Sequence, residues 1–226
     1  MVSVWLAILA AAVGVFIASS ITHMVLPYHR TDVRKLPGDK EDLVLDALDR
    51  LAVAPGDYAV PHAGSSAGMR DPAFIAKATK GPLAFMTLAP GSAPTMGPYL
   101  GMWFVYCLAV SICVGLLSWY IVGPGQPFSY VFHIAGAITL LTYGGSLPQM
   151  SIWYRRSWAT TLKSLFDSVI YGAVTGAASA GCGHNELESP HFLGQEISMR
   201  YASFGLIVAL LALPSTVDAH VKKIVI

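Results

Sequence analysis

Charge is scarce in this sequence. Only 12% of its 226 residues are Asp, Glu, Lys or Arg, about half the roughly 25% of an average soluble domain. The formal net charge is +1 and the isoelectric point lies near 7.8, so the chain is no nucleic-acid binder. With 54% hydrophobic residues it is neither disordered nor a coiled coil. Three cysteines do not make a disulfide scaffold. A phosphate loop, a nucleophile elbow and metal-ligand spacing are missing as well, so the expectation is a protein that is not an enzyme and takes no cofactor and no metal. What the chain has in quantity is long apolar runs, with a mean hydropathy of +0.58. That is the composition of an integral membrane protein.

A helix crosses the hydrocarbon core with about 20 apolar residues. Residues 2–26 form the first such run, with no acid and no Lys or Arg. It is too long for the core of a signal peptide and has no basic residue ahead of it. The second, 97–122, carries Tyr99, Trp103 and Tyr106 at one end and Trp119 and Tyr120 at the other, an aromatic belt at both headgroup levels. A charge-free Gly-Pro-Gly-Gln-Pro link makes it a tight hairpin with the third, 128–147, closed by Pro148. The fourth, 158–180, holds Lys163 and Asp167. A fifth candidate, 201–217, is short. The expected fold is all-α and polytopic: helix 1 over 1–26, a helical insert over 27–96, helices 2–4 over 97–180, and a polar loop with the candidate fifth helix over 181–226.

Lysine and arginine set the orientation. Eight fall in 27–96, none in the hairpin link, Arg155 and Arg156 after the third span, and Lys222 and Lys223 in the tail. The three loops that hold these residues share one side when the N-terminus is outside, with only Arg200 in the fourth loop on the other, which places the insert in the cytoplasm. Eight acids balance the eight bases of the insert, so it is no polybasic arm. Asp39 and Asp71-Pro72 read as the starts of two short helices, the second ending at Gly81.

The C-terminal stretch admits two readings. Met199-Arg200, a short apolar core and Val217-x-Ala219 have the anatomy of a secretory signal, which a frameshift into a neighbouring gene would place mid-chain. In a shifted frame the codons allowed for 178–185 can read Phe-Gly-Trp-Leu-Trp-Pro-Gln-stop. The other reading is a genuine fifth helix. Functional weight is therefore withheld from residues after about 176, including the metal-like set of His184 and His191 beside Glu186 and Glu188.

The segments Ile21-Thr22-His23-Met24-Val25-Leu26-Pro27-Tyr28-His29-Arg30 and Ser151-Ile152-Trp153-Tyr154-Arg155-Arg156-Ser157-Trp158-Ala159-Thr160-Thr161-Leu162-Lys163 resemble a group of uncharacterised small bacterial inner-membrane proteins. The resemblance covers about residues 1–176, and members end in a Trp-Leu-Trp-Pro tail that this chain lacks in its present frame. It implies bacterial origin and inner-membrane placement, and carries no activity, cofactor or catalytic residue.

Ionisable groups within a bilayer are costly and single themselves out. Lys163 and Asp167 stand four apart on one face of the fourth helix, which suits a structural ion pair. With His23, at the same end of the first helix, they also suit a proton or cation site. His23 and His133 as axial haem ligands are disfavoured, because they fall at opposite ends of their helices. His29, Arg30, Arg34, Arg155 and Arg156 gather on one side, where they serve as positive-inside anchors or bind a lipid headgroup. Cys107 and Cys113 point about 240° apart on one helix and share no metal. Gly172, Gly176 and Ala180 form a small-residue ridge for close helix approach, within the bundle or onto another membrane subunit or copy. The leading expectation is a non-enzymatic packing, scaffold or regulatory protein. The alternatives are a small proton- or ion-coupled transporter using Asp167, Lys163 and His23, and a haem- or quinone-binding redox subunit.

Overall fold

The computed structural model describes residues 2–123 and 125–183 and is mostly helical (71%). The candidate fifth span, the signal-like stretch and the set around His184 and His191 lie outside the described residues. The described chain divides into two compact units, residues 2–32 with 95–183, and Val33–Pro94.

The first unit is a helical bundle. Helix α1 (Val2–Ser20) continues without a break into a π turn over Ile21–Val25, closed by Leu26 N–H donating to the Ile21 carbonyl at 3.0 Å. A single turn of i→i+5 bonding is rare and concentrates at functional positions; here it carries His23. Leu26 is extended, and Pro27–Thr31 then forms a 3₁₀ turn with proline at its start. Further along come α4 (Gly97–Val122), α5 (Phe128–Gly144), α6 (Leu147–Tyr154) and α7 (Trp158–Gly183). Three stretches among the described residues are long and apolar enough to cross a membrane: Val4–Val25, Gly97–Val122 and Phe128–Tyr154. The third differs from its expected end. Pro148 does not close it, because proline lies in the first turn of α6, where its missing N–H costs no bond. The break falls instead at Gly145 and Ser146.

Helix α7 packs against α1 and α5, and α4 packs against the same two helices. The inner face of α1 runs Ala7, Ile8, Ala11, Ala12, Val15 and Ser19, while Trp5, Leu9, Val13 and Ile17 stay exposed. Small residues inside and large apolar ones outside is the pattern of a helix packed in lipid, where close approach replaces the hydrophobic drive of water. The Gly172 and Gly176 ridge is occupied within the bundle. A Cβ on Gly172 would stand 2.8 Å from the Gly136 carbonyl oxygen, and one on Gly176 2.6 Å from that of Phe132. Both contacts are with backbone of α5.

The second unit corrects the expectation of an entirely helical insert. It contains α2 (Lys40–Leu51) and α3 (Pro72–Lys80), but also an antiparallel pair, β1 (Gly56–Val60) with β2 (Ala84–Leu88), in register Gly56↔Leu88 to Val60↔Ala84. Thr87 donates to its cross-strand partner Asp57 at 2.5 Å. Helix α3 follows its sequence signals: Asp71 accepts from Ala73 N–H at 2.9 Å, and Gly81 ends it at φ 64°, a conformation that favours glycine. Asp39 precedes α2 as expected, but its side chain makes no capping bond.

Candidate functional site

The site is assembled from the end of α1, the 3₁₀ turn behind it and the first turns of α7. Proline at position 27 starts a turn that folds the chain back after the span, so residues 28–32 face α7 and do not trail away from it. Asp167 is 2% exposed. Its Oδ1 accepts from the Tyr28 hydroxyl, and its Oδ2 lies 2.9 Å from His29 Nε2. His23 Nε2 stands 3.9 Å from the same Oδ2. The His23 and His29 rings stack with centroids 4.2 Å apart and planes within 9°.

Each ring is fixed from behind as well. His29 Nδ1 meets Asp32 Oδ2 at 2.6 Å. His23 Nδ1 meets the Ser19 carbonyl at 3.1 Å and Thr22 Oγ1 at 3.0 Å. The Thr22 hydroxyl already donates to the Ser19 carbonyl, and a carbonyl only accepts, so Nδ1 of His23 is the nitrogen that carries hydrogen. Trp103 of α4 steadies this turn by donating to Ser19 Oγ at 2.7 Å.

Lys163 is where the expected ion pair fails. Its Nζ binds Asp32 Oδ1 and Thr31 Oγ1, each at 2.8 Å, and Asp32 is its salt-bridge partner in place of Asp167. The i,i+4 spacing is real, but the returning turn offers a carboxylate in a more exposed place, while Tyr28 and His29 already occupy Asp167. His29 likewise leaves the expected headgroup set. With a carboxylate at each ring nitrogen it belongs to an ionisable cluster, and phosphate would be repelled there. Arg30 and Arg155 are exposed, Arg156 reaches Ser164 Oγ at 3.5 Å, and Arg34 falls in the other compact unit. His133 lies on α5 with Nδ1 2.5 Å from the Ser129 carbonyl. Its neighbour Phe132 meets Gly176, nine residues past Asp167 and so about 13 Å further along α7.

Two groups outside the apolar spans show how polar the cluster is. Burial first, then the hydrogen bond to Asp167 and that carboxylate's charge, push the Tyr28 phenol up to about 12, so it stays a neutral donor at ordinary pH. For Asp32 partial burial works upward, but the bonds and charges of His29 and Lys163 outweigh it and hold its carboxyl below the usual range. Two carboxylates face one ammonium here, leaving one negative charge for the histidines or a cation to balance.

The structure sets His23 and Asp167, named from the sequence as neighbours, 3.9 Å apart, and adds Tyr28, Thr22, Thr31 and Asp32, which the sequence did not single out. The His29-x-x-Asp32 spacing was the available signal, since residues three apart in a helical turn can touch.

Comparison with family models, curated proteins and solved structures finds no match to this chain.

Proposed function

We propose that this protein is a non-enzymatic multi-pass carrier of protons or metal cations in the bacterial inner membrane, working through the Asp167 cluster. The observation that carries this reading is a carboxylate 2% exposed, bonded on one oxygen by a tyrosine and on the other by a histidine. Burying an ionised group costs several kcal/mol even when it is paired, and such groups inside membrane proteins concentrate on ion pathways. The glycine ridge, the feature that favoured a scaffold, is used up against α5.

We read α7 as a fourth span. At 26 residues it is about 39 Å long, enough to cross. Its mean hydropathy is lowered by polar residues that face inward, Thr161, Asp167, Ser168 and Thr175, while Leu162, Phe166 and Val169 face outward. Four spans with the N-terminus outside put the cluster and the 33–94 insert on the cytoplasmic side. Protease added to inverted vesicles is then expected to cut the insert, and protease added to spheroplasts to leave it whole; the opposite pattern reverses the orientation.

The test of function is flux. Purified protein in liposomes with an internal pH dye, or a metal-sensitive dye, is expected to pass cations down an imposed gradient. Asp167→Asn is expected to lose at least tenfold while keeping its helical circular dichroism. Equal flux in wild type and Asp167→Asn, or wild-type flux no greater than that of empty liposomes, overturns the carrier.

A further inference from the structure

We infer that His23, His29 and Asp167 form a binding site for one divalent transition-metal ion of the zinc or iron(II) class. The inference rests on the Asp167 cluster being the ion-handling centre and names the ion. One ligand atom from each residue lies within 4.8 Å of the other two, and the nitrogens turned toward Asp167 are both Nε2. Two imidazoles and one carboxylate match the donor set of borderline divalent metals, and three protein ligands leave a position open for water or exchange.

The second observation is what lies behind the ligands. Metal-binding histidines characteristically donate their other ring N–H to a carboxylate or a backbone carbonyl. His29 has Asp32 there and His23 has the Ser19 carbonyl. With Nδ1 of His23 carrying the hydrogen, its Nε2 keeps the lone pair and stands 3.9 Å from the Asp167 oxygen. A metal cation between the two Nε2 atoms and the carboxylate gives all three a common partner.

The remaining neighbours fit supporting roles. Tyr28 holds Oδ1 of Asp167 and so aims Oδ2, and Lys163 holds Asp32. The His23 side chain is 50% exposed and forms the open side by which an ion enters. Tetrahedral ligation at about 2.0–2.1 Å requires donor atoms about 3.3 Å apart, so Nε2 of His23 must close on Asp167 by about half an ångström, and its half-exposed ring must also turn out of the stack on His29 so that its in-plane lone pair points at the shared ion.

The experiment uses the full chain, purified in detergent through a tag free of histidine, stripped with chelator and dialysed against Co²⁺. One Co²⁺ per chain is expected, with visible d–d absorption of a low-symmetry nitrogen and oxygen site, and Zn²⁺ is expected to displace it. His23→Gln, exposed and safe for folding, is expected to weaken binding at least 100-fold. Asp32→Asn, which touches no metal, is expected to weaken it 10- to 100-fold. No uptake by the wild type, or uptake unchanged in both variants, overturns the metal site. If Co²⁺ is refused while Asp167→Asn still abolishes proton flux, the metal falls and the carrier stands. If Co²⁺ binds as expected and no cation crosses the bilayer, the site stands and the carrier falls.

Discussion

Gly176→Leu is expected to cost about 3 kcal/mol of bundle stability, at the upper end for an overpacked core, read as a shift of the unfolding midpoint in a denaturing-detergent titration. Even a Cβ there comes within 2.6 Å of the Phe132 carbonyl oxygen. The obstacle is backbone of α5, so no rotamer change relieves it and the helices must part. Gly172→Leu meets the Gly136 carbonyl in the same way and is expected to behave alike. Gly101→Ala is the control, because nothing lies within 4 Å of the added Cβ. It is expected to hold or raise stability, since alanine is the better helix former by about 1 kcal/mol. Equal midpoints for Gly176→Leu and the wild type would show that α5 and α7 do not meet at this ridge.

The second large effect concerns His29. Its ring stands between two carboxylates, 2.6 Å from Asp32 and 2.9 Å from Asp167, and its side chain is 8% exposed. His29→Ala strands a buried carboxylate, for which a loss of about 3–5 kcal/mol is usual. Much of that loss is the penalty on the partner left behind. Adding Asp167→Asn to His29→Ala is therefore expected to recover part of the stability, although Asp167→Asn alone lowers it. That sign reversal is a coupling that a double-mutant cycle reads directly. Two losses that simply add would mean that the ring does not hold the carboxylate.

The sequence makes the spans legible and leaves the site half hidden, for one physical reason. Apolar length is a local property, so the first two spans and the start of the third follow from composition along the chain. Which side chains meet across helices is not local. Lys163 and Asp167 look like partners because their spacing is visible, but the competing ligands come from residues 28–32, some 130 positions away. Nothing in Pro27-Tyr28-His29-Arg30 announces that the turn returns over α7 and does not lead out along the membrane surface. The strands were missed for a different reason. Gly56-Asp57 begins β1 with two residues of low strand preference, and 23 residues separate the end of β1 from the start of β2, so no short hairpin signal joins them.

The cluster is divided along a single seam. Asp167 and Lys163 belong to α7, while His23, Tyr28, His29 and Asp32 all belong to α1 and the turn behind it. Helix α7 is locked to α5 by glycine against backbone, so α5 and α7 form one side of the seam and the α1 arm the other. A shift of an ångström along that seam would change the distances from Asp167 and Lys163 to the α1 arm together, while the His23–His29 stack and the His29–Asp32 contact moved with the arm and the contacts that clamp α5 to α7 stayed as they are. Occupancy of the site and the position of the first helix are then one variable. An ion shared by His23, His29 and Asp167 would therefore tie α1 to α7.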